Sequence, residues 1–336
     1  MAAGPWLVTG ASGFLGRHLL QQIQGLEPPR RVLALVRSRE EWDAMAWTHG
    51  LKGVETLDGG VTASEGWNSD PRLAGIGGVI HLAALVRHRR RDADEVYFVN
   101  VEGTRALARV AARYRCRMVF VSTSGTVGCF REPGPSADEE SPYCEAEVSG
   151  WPYYDSKIKA EKEARSLAAE SGVELVIVRP PVLLGPGDHR FRSSAHVSRF
   201  LDGKLPFLIE GGMHFADVRD AAQALVRIME REEVQPVYHL PGTICSIEEF
   251  YRMVAAAAGS DSVPRVIPYR PALLASRVTH ALGLKLLPEP ALIEMAAHYW
   301  TMHSKWSAQE LGYRSRPGIE TVAATVGWLK TQRRHA

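Results

Sequence analysis

The sequence predicts an α/β fold: a doubly wound parallel sheet with a smaller, mostly helical C-terminal lobe. Short apolar runs alternate with segments of helical spacing through the first half of the chain, the mark of a parallel sheet covered on both faces. After Pro181 the pattern breaks, Gly and Pro accumulate, and from Ser246 onward short helices dominate.

Taken in order, WLVTG from Trp6 reads as a strand and GFLGRHLLQQIQGL as a helix. RVLALV (Arg31 to Val36) is a second strand and GGVIHLAAL a third. VYFVNVEGTRALARVAARYR is one long helix, followed by the strand CRMVFVSTS. YYDSKIKAEKEARSLAAESG is helical and VELVIVRPP a strand, and right-handed crossovers between them wind the sheet in both directions. LLGPGDHRFRSS is a loop; HFADVRDAAQALVRIMERE is a strand end entering a helix, and PVYHLPG a further strand. Residues 1–184, with 213–243 returning, are expected to form the sheet domain, and 185–212 with 244–336 the lobe.

Composition narrows the function classes. The 336 residues are 45% hydrophobic and 23% charged, with a net charge of +2, so nothing marks the whole chain as a nucleic-acid binder. Cys116, Cys129, Cys144 and Cys245 make no CxxC pair and no metal spacing. They read as free thiols of a reducing, cytoplasmic compartment, and no metal is expected. The N-terminus enters an apolar strand at once, without the pattern of a signal peptide, and the apolar stretch near the C-terminus is broken by Arg277, His280 and Lys285.

VTGASGFLGRHLL sets Gly10, Gly13 and Gly16 between a strand and an amphipathic helix. One glycine permits a tight reversal, one lets backbone approach a pyrophosphate, and one lets helix and strand pack closely. The phosphates then sit at a helix N-terminus, where free N–H groups and the dipole favour anions. An NAD site places an acid near the end of the second strand. Here Val36 and Arg37 occupy that place and the acids come later, at Glu40 and Glu41. Arg37 suits a 2′-phosphate, so NADP(H) is favoured over NAD(H).

WPYYDSKIKAEKEAR holds two adjacent tyrosines. Following the helical turn from Tyr153 leads to Lys157, Ala160, Ala164, Leu167 and Ala168, a stripe of small and apolar residues that faces a sheet. Tyr154 shares its side with Ile158, Glu161 and Arg165, a mixed surface. Tyr153 and Lys157 are thus the inward pair, in which the ammonium is expected to lower the phenol's pKa and make it a proton-transfer group. Ser122, Thr123 and Ser124 end the preceding strand, where a hydroxyl orients a substrate oxygen.

With these motifs in view, the chain resembles the extended short-chain dehydrogenase/reductases, whose sheet domain is a Rossmann fold. The resemblance rests on the three glycines, IHLAAL (Ile80 to Leu85), FVNVEGT with Asn100, STSGTVG, Tyr153 with Lys157, RPPVLLGPGD, and the late SKWSAQELGYRSRPGIETVAATVGWL. It implies a Ser–Tyr–Lys site with Ser124 as the serine and Asn100 as a structural or proton-relay residue. It also implies that Ser12, Phe14, Leu15, Leu82, Ala83, Ala84, Ser122, Tyr153, Lys157, Pro180 and Val182 border the cofactor. VSTSGTVG and LALVR look most like the branch of dihydroflavonol reductases and 3β-hydroxysteroid dehydrogenases. Sugar dehydratases of the family carry Asp-Glu where this chain has Gly125 and Thr126, and epimerases keep Tyr-Gly where it has Val127-Gly128. Gly60 stands where the resemblance expects an aspartate, and Asp58 is the substitute at hand.

The expectation is an NADP(H)-dependent ketoreductase acting on an apolar ketone or secondary alcohol, as a monomer or homodimer. A nucleotide-sugar epimerase that retains NAD and a non-catalytic dinucleotide sensor are the alternatives. The basic run at residues 87–95 is expected to be a solvated loop and helix start, and the acids of 131–150 to solubilise a loop flanking the substrate. His81 and His189 are expected at the cofactor edge or in loops. Leu273, Leu274, Val278, Leu282, Leu286, Leu287, Ile293, Met295 and Trp300 are expected as lobe core, or as a lid over an apolar substrate.

Overall fold

Seven parallel strands form the central sheet of the computed structural model, which describes residues 4–62, 66–284 and 286–334. In chain order they are β1 (Trp6–Thr9), β2 (Val32–Val36), β3 (Val54–Asp58), β4 (Gly78–His81), β5 (Arg117–Val121), β6 (Leu175–Arg179) and β7 (Val237–His239). Their spatial order is β3-β2-β1-β4-β5-β6-β7, every pairing parallel. The order reverses between β1 and β4, and a crevice outside the carboxyl ends opens at that switch point.

Successive strand residues feed opposite faces. On one side Val8, Val32, Ile80 and Val119 meet α1 (Phe14–Gln24) through Leu19, Leu20 and Ile23. On the other, Leu7, Leu33, Val79 and Phe120 meet α2 (Gly103–Tyr114) through Leu107, Val110 and Ala111, and α3 (Pro152–Ser171) through Ala160. A fourth helix, α4 (Val218–Glu230), packs beside α1 and precedes β7, so the chain returns to this sheet after leaving it.

A second, three-stranded sheet is built from Val182–Leu184 and Gly212–Asp217, which lie between β6 and α4, and from Thr243–Ser246, which follows β7. Phe215, Phe250, Tyr251, Val254, Val322, Val326 and Leu329 form its core. Cys129–Phe130 pairs antiparallel with Tyr299–Trp300, which ties the lobe across the end of β5. Among the described residues no helix is long and apolar enough to cross a membrane.

Three expectations need correction here. The strand Val54–Asp58 lies between the second and the supposed third strand, so GGVIHLAAL holds the fourth. Its sequence, VETLD, carries acids at an edge position with one face half-solvated, which hides the apolar run. The long helix after it is three pieces: Ala93–Tyr97, a π turn over Phe98–Glu102, and α2. The π turn carries Asn100, which is buried. And Leu183–Leu184, expected as the opening of a loop, belong to a strand, Val182–Leu184, which pairs with Phe215–Asp217.

Candidate active site

The glycine turn has the shape a dinucleotide needs. Gly10 takes φ +67, and a Cβ there would come within 2.8 Å of Ala83 N, so β1 and the loop after β4 meet with no room for a side chain. A Cβ on Gly16 would lie 2.3 Å from Gly10 O, so α1 packs directly on the turn. Gly13 is the N-cap of α1 and offers no side chain to its first N–H groups, which leaves them to an anion. Ser12, Phe14 and Leu15 ring this turn, half-buried, and Leu82, Ala83 and Ala84 face it, with Ala83 N donating to Thr9 Oγ1 at 3.2 Å. Arg37 and Asp58 stand exposed at the ends of β2 and β3, whose last residues Val36 and Asp58 pair. Pro180 is buried with its carbonyl accepting from Ser124 N at 2.8 Å, and Val182 is 39% exposed.

Tyr153, Lys157 and Ser124 all lie at the carboxyl edge of β5. Ser124 is buried and opens a 3-10 turn over Ser124–Thr126, capped by the Thr123 hydroxyl. Lys157 is 2% exposed; its Nζ donates to Val121 O at 2.7 Å and sits 4.2 Å from the centre of the Phe120 ring. Burial brings this lysine down to about 7, with Glu161 pulling the other way. Tyr153 is half-buried, and desolvation pushes its phenol up to about 12, offset in part by a hydrogen bond with the Thr123 side chain. This corrects the expected direction. A lysine whose ammonium is spent on a strand carbonyl does not pull the phenol down, whereas a dry setting raises it. The phenol is held protonated, as a proton donor.

Asn100 acts as a clip. Its Oδ1 accepts from Leu85 N at 2.7 Å, and its Nδ2 donates to Leu85 O at 3.1 Å and to Ser156 Oγ at 2.9 Å. Ser156 Oγ donates in turn to Tyr153 O at 2.7 Å. The loop after β4 is thereby fixed to the first turn of α3. Glu161, one turn beyond Lys157, forms a buried ion pair with Arg179 at 2.6 Å and accepts from Tyr143 at 3.0 Å. Ser122 is buried beside Glu161, where its hydroxyl helps hold that carboxyl low.

Tyr154 is not on an open mixed surface. Ile158 and Glu161 on its side are buried, because the lobe covers that face. Its ring stacks on Trp300 at 4.7 Å and lies 6.3 Å from Trp151. It also rests on Gly125, where a Cβ would come within 2.3 Å of the ring. His88 completes this wall, with ring centroids 5.7 Å from Tyr153 and 5.4 Å from Tyr154. Burial brings His88 down to about 4, so it is neutral at physiological pH. It was hidden in the basic run. The rest of that run behaves as a solvated surface, Arg87 pairing with Glu95 and Arg89 with Glu289.

Two further expectations change. The acids of 131–150 do more than solubilise: Glu139 is buried and accepts from His239 N at 3.2 Å and Lys305 N at 3.0 Å, and Asp138 pairs with Lys305. His81 is not in a loop: it is the buried last residue of β4. It ties the core together, Nδ1 to Thr9 Oγ1 at 2.7 Å and Nε2 to Thr104 Oγ1 at 3.2 Å. His189 lies in a loop, its ring 6.2 Å from that of Trp47. Of the apolar set in the lobe, Leu273 and Ile293 are core and Met295 and Trp300 pack near Tyr154, while Leu274, Val278, Leu282 and Leu286 are exposed.

Fold and turn together define a nicotinamide-dinucleotide protein, and comparison with known proteins supplies the family. Residues 6–240 match the model of the NAD dependent epimerase/dehydratase family, and the chain belongs to it. It is an NAD(P)-dependent enzyme of the extended short-chain dehydrogenase/reductase class, as the sequence resemblance implied. A putative dihydroflavonol 4-reductase of Synechocystis sp. is 26% identical over 97% of this chain and 94% of its own. The 4-hydroxy-2-methyl-3-oxo-4-farnesyl-3,4-dihydroquinoline-1-oxide ketoreductase of Stigmatella aurantiaca is 29% identical over 92% of this chain and 91% of its own. Among solved structures, gox2253 superposes with a TM-score of 0.83 at 26% identity, covering 98% of this chain and 99% of that one.

Proposed function

We propose that the protein is an NADP(H)-dependent oxidoreductase interconverting a ketone and a secondary alcohol on a relatively apolar substrate. The observation that carries this reading is the packing of Tyr154 onto Gly125 beside Tyr153. Where sugar dehydratases of the family carry carboxylates, this chain has an aromatic wall of Tyr154, Trp300 and Trp151. Such a wall favours flat or apolar substrate surface and supplies no acid–base pair for eliminating water. The reductase and ketoreductase relatives support the same substrate chemistry.

The turn of Gly10, Gly13 and Gly16 fits the pyrophosphate, and Arg37 at the end of β2 suits a 2′-phosphate. When bound, the nicotinamide cofactor supplies or takes the hydride. Tyr153, protonated at neutral pH, donates its proton to the carbonyl oxygen as negative charge develops there. Ser124 orients that oxygen by a hydrogen bond. Lys157, at the same strand edge, holds ribose hydroxyls. Asn100 and Glu161 position α3.

The test is NADPH oxidation over steroid, flavonoid, β-ketoacyl and aromatic ketones, with Tyr153→Phe alongside. Wild type turns over at least one class; the variant loses turnover by about a hundredfold or more while binding NADPH as before. Full activity in Tyr153→Phe refutes the assignment. Copurified NAD without net consumption points instead to an epimerase, and tight NADPH binding without any turnover to a sensor.

A further inference from the structure

The loop from Gly185 to Ser194 crosses the fold to reach the end of β2. Its base is tied to α1: His18 Nε2 bonds Pro186 O at 2.7 Å, and Gly187, at φ +97, would bring a Cβ within 3.2 Å of an Arg17 nitrogen. Its tip is pinned by Asp188, which is 1% exposed and accepts from Ser194 N at 2.8 Å and from Ser194 Oγ at 2.9 Å. Inside this clamp Phe191 takes φ 49, a conformation a bulky residue rarely adopts, with its ring 5.7 Å from Trp328. Arg190 and Arg192 flank it.

Both arginines line a cavity of about 580 Å³ together with Arg37, Glu41, Ala44 and Met45. Three guanidinium groups from chain segments some hundred and fifty residues apart thus face one carboxylate. Glu41 reaches only Arg190, at 3.6 Å, and is itself largely exposed. Arg37 and Arg192 have no carboxylate within ion-pair reach among the described residues. Like charges gathered on a pinned loop are unfavourable unless an anion joins them. The cavity also lies at the end of β2, beside the turn that fits a dinucleotide.

We infer that Arg190 and Arg192, with Arg37, form a three-arginine cradle for the 2′-phosphate of the cofactor, so that the loop at 185–194 discriminates NADP(H) from NAD(H). This rests on the NADP(H) reading above and adds two residues that the second strand does not contain. Guanidinium groups bind phosphate oxygens in fork geometry, and a dianion between three of them relieves their mutual repulsion. Glu41 is displaced from Arg190 as the phosphate enters.

Binding of adenosine 2′,5′-bisphosphate and of 5′-AMP, measured by calorimetry on the full chain, isolates the phosphate from the chemistry. Wild type is expected to prefer the bisphosphate. Arg190→Ala and Arg192→Ala each weaken it about tenfold or more, equivalent to about 1.4 kcal/mol, with 5′-AMP unchanged. Glu41→Gln tightens it. The NADPH-to-NADH ratio of Michaelis constants follows the same order, and Arg190→Lys restores part of the loss. If Arg37→Ala abolishes the preference while Arg190→Ala and Arg192→Ala leave it intact in folded protein, the loop is overturned as a determinant and the NADP(H) reading stands. If wild type itself prefers neither nucleotide, the NADP(H) reading falls and the cradle with it.

Discussion

Replacing Glu161 by Gln should destabilise the region that holds the candidate site. Glu161 and Arg179 are 0% and 2% exposed, with Glu161 Oε2 2.6 Å from one guanidinium nitrogen and Oε1 3.1 Å from Nε. Burial pushes the carboxyl up, but the Arg179 charge and its hydrogen bonds more than offset this and hold it below the usual carboxylate range. Glu161→Gln leaves a buried guanidinium with no counter-charge, next to His239 at 3.3 Å. Removing one partner of a buried pair costs about 3–5 kcal/mol, which corresponds to a fall in Tm on the order of 10 °C. Thermal melting with a double variant, Glu161→Met with Arg179→Met, isolates the cause: removing both charges should recover at least half of the loss. The pair also sets a pH window. Because the folded pKa is depressed, its contribution is present above the unfolded value of 4.5 and is lost as pH falls below it. Glu161→Gln should flatten that acid limb. A variant melting within about 1 °C of wild type at pH 7, with an unchanged acid limb, would refute the argument, since a buried charge left unpaired at a cost of about 3–5 kcal/mol cannot pass unnoticed.

Further outcomes follow from the same geometry. Gly125→Ala sets a methyl group 2.3 Å from the Tyr154 ring, which is stacked on Trp300; overpacking of this kind costs about 1–3 kcal/mol, and turnover should fall more than NADPH affinity, measured by melting and steady-state kinetics. Lys157 has a folded pKa of about 7 against 10.5 unfolded, so the unfolded chain binds more protons between these values and stability rises with pH across that window. Lys157→Met should flatten the rise in Tm from pH 7 to 10, and an unchanged slope would count against a dry, depressed lysine. Tyr154→Phe keeps the stacked ring and should cost far less activity than Tyr153→Phe, read in the same NADPH assay.

Much of the architecture was legible in local pattern. Short, β-branched apolar runs of VLALV and MVFV type read as strands buried on both faces, and the sheet contains them. Gly10 and Gly16 were legible because a glycine requirement is a backbone property written at a single position. Edge strand Val54–Asp58 was not legible, since a half-solvated edge tolerates Glu55 and Asp58 and breaks the apolar run. Nor was the environment of Tyr154: helical spacing shows which residues share a face, and only the lobe strand Tyr299–Trp300 shows what covers it.

The sequence alone determined most of the order of elements, the glycine turn between strand and helix, the presence of a tyrosine and lysine one turn apart, and a hydroxyl cluster at a strand end. These depend on neighbours within a few residues, where chain geometry is rigid. Tertiary structure decided what those groups are chemically. Whether Lys157 bonds a carbonyl or a phenol, and whether Tyr153 sits high or low in pKa, depends on burial and on partners far along the chain. The same is true of His88 entering the aromatic wall and of Arg190 and Arg192 meeting Arg37. Electrostatic environment is set by atoms in space, so a one-dimensional pattern cannot specify it.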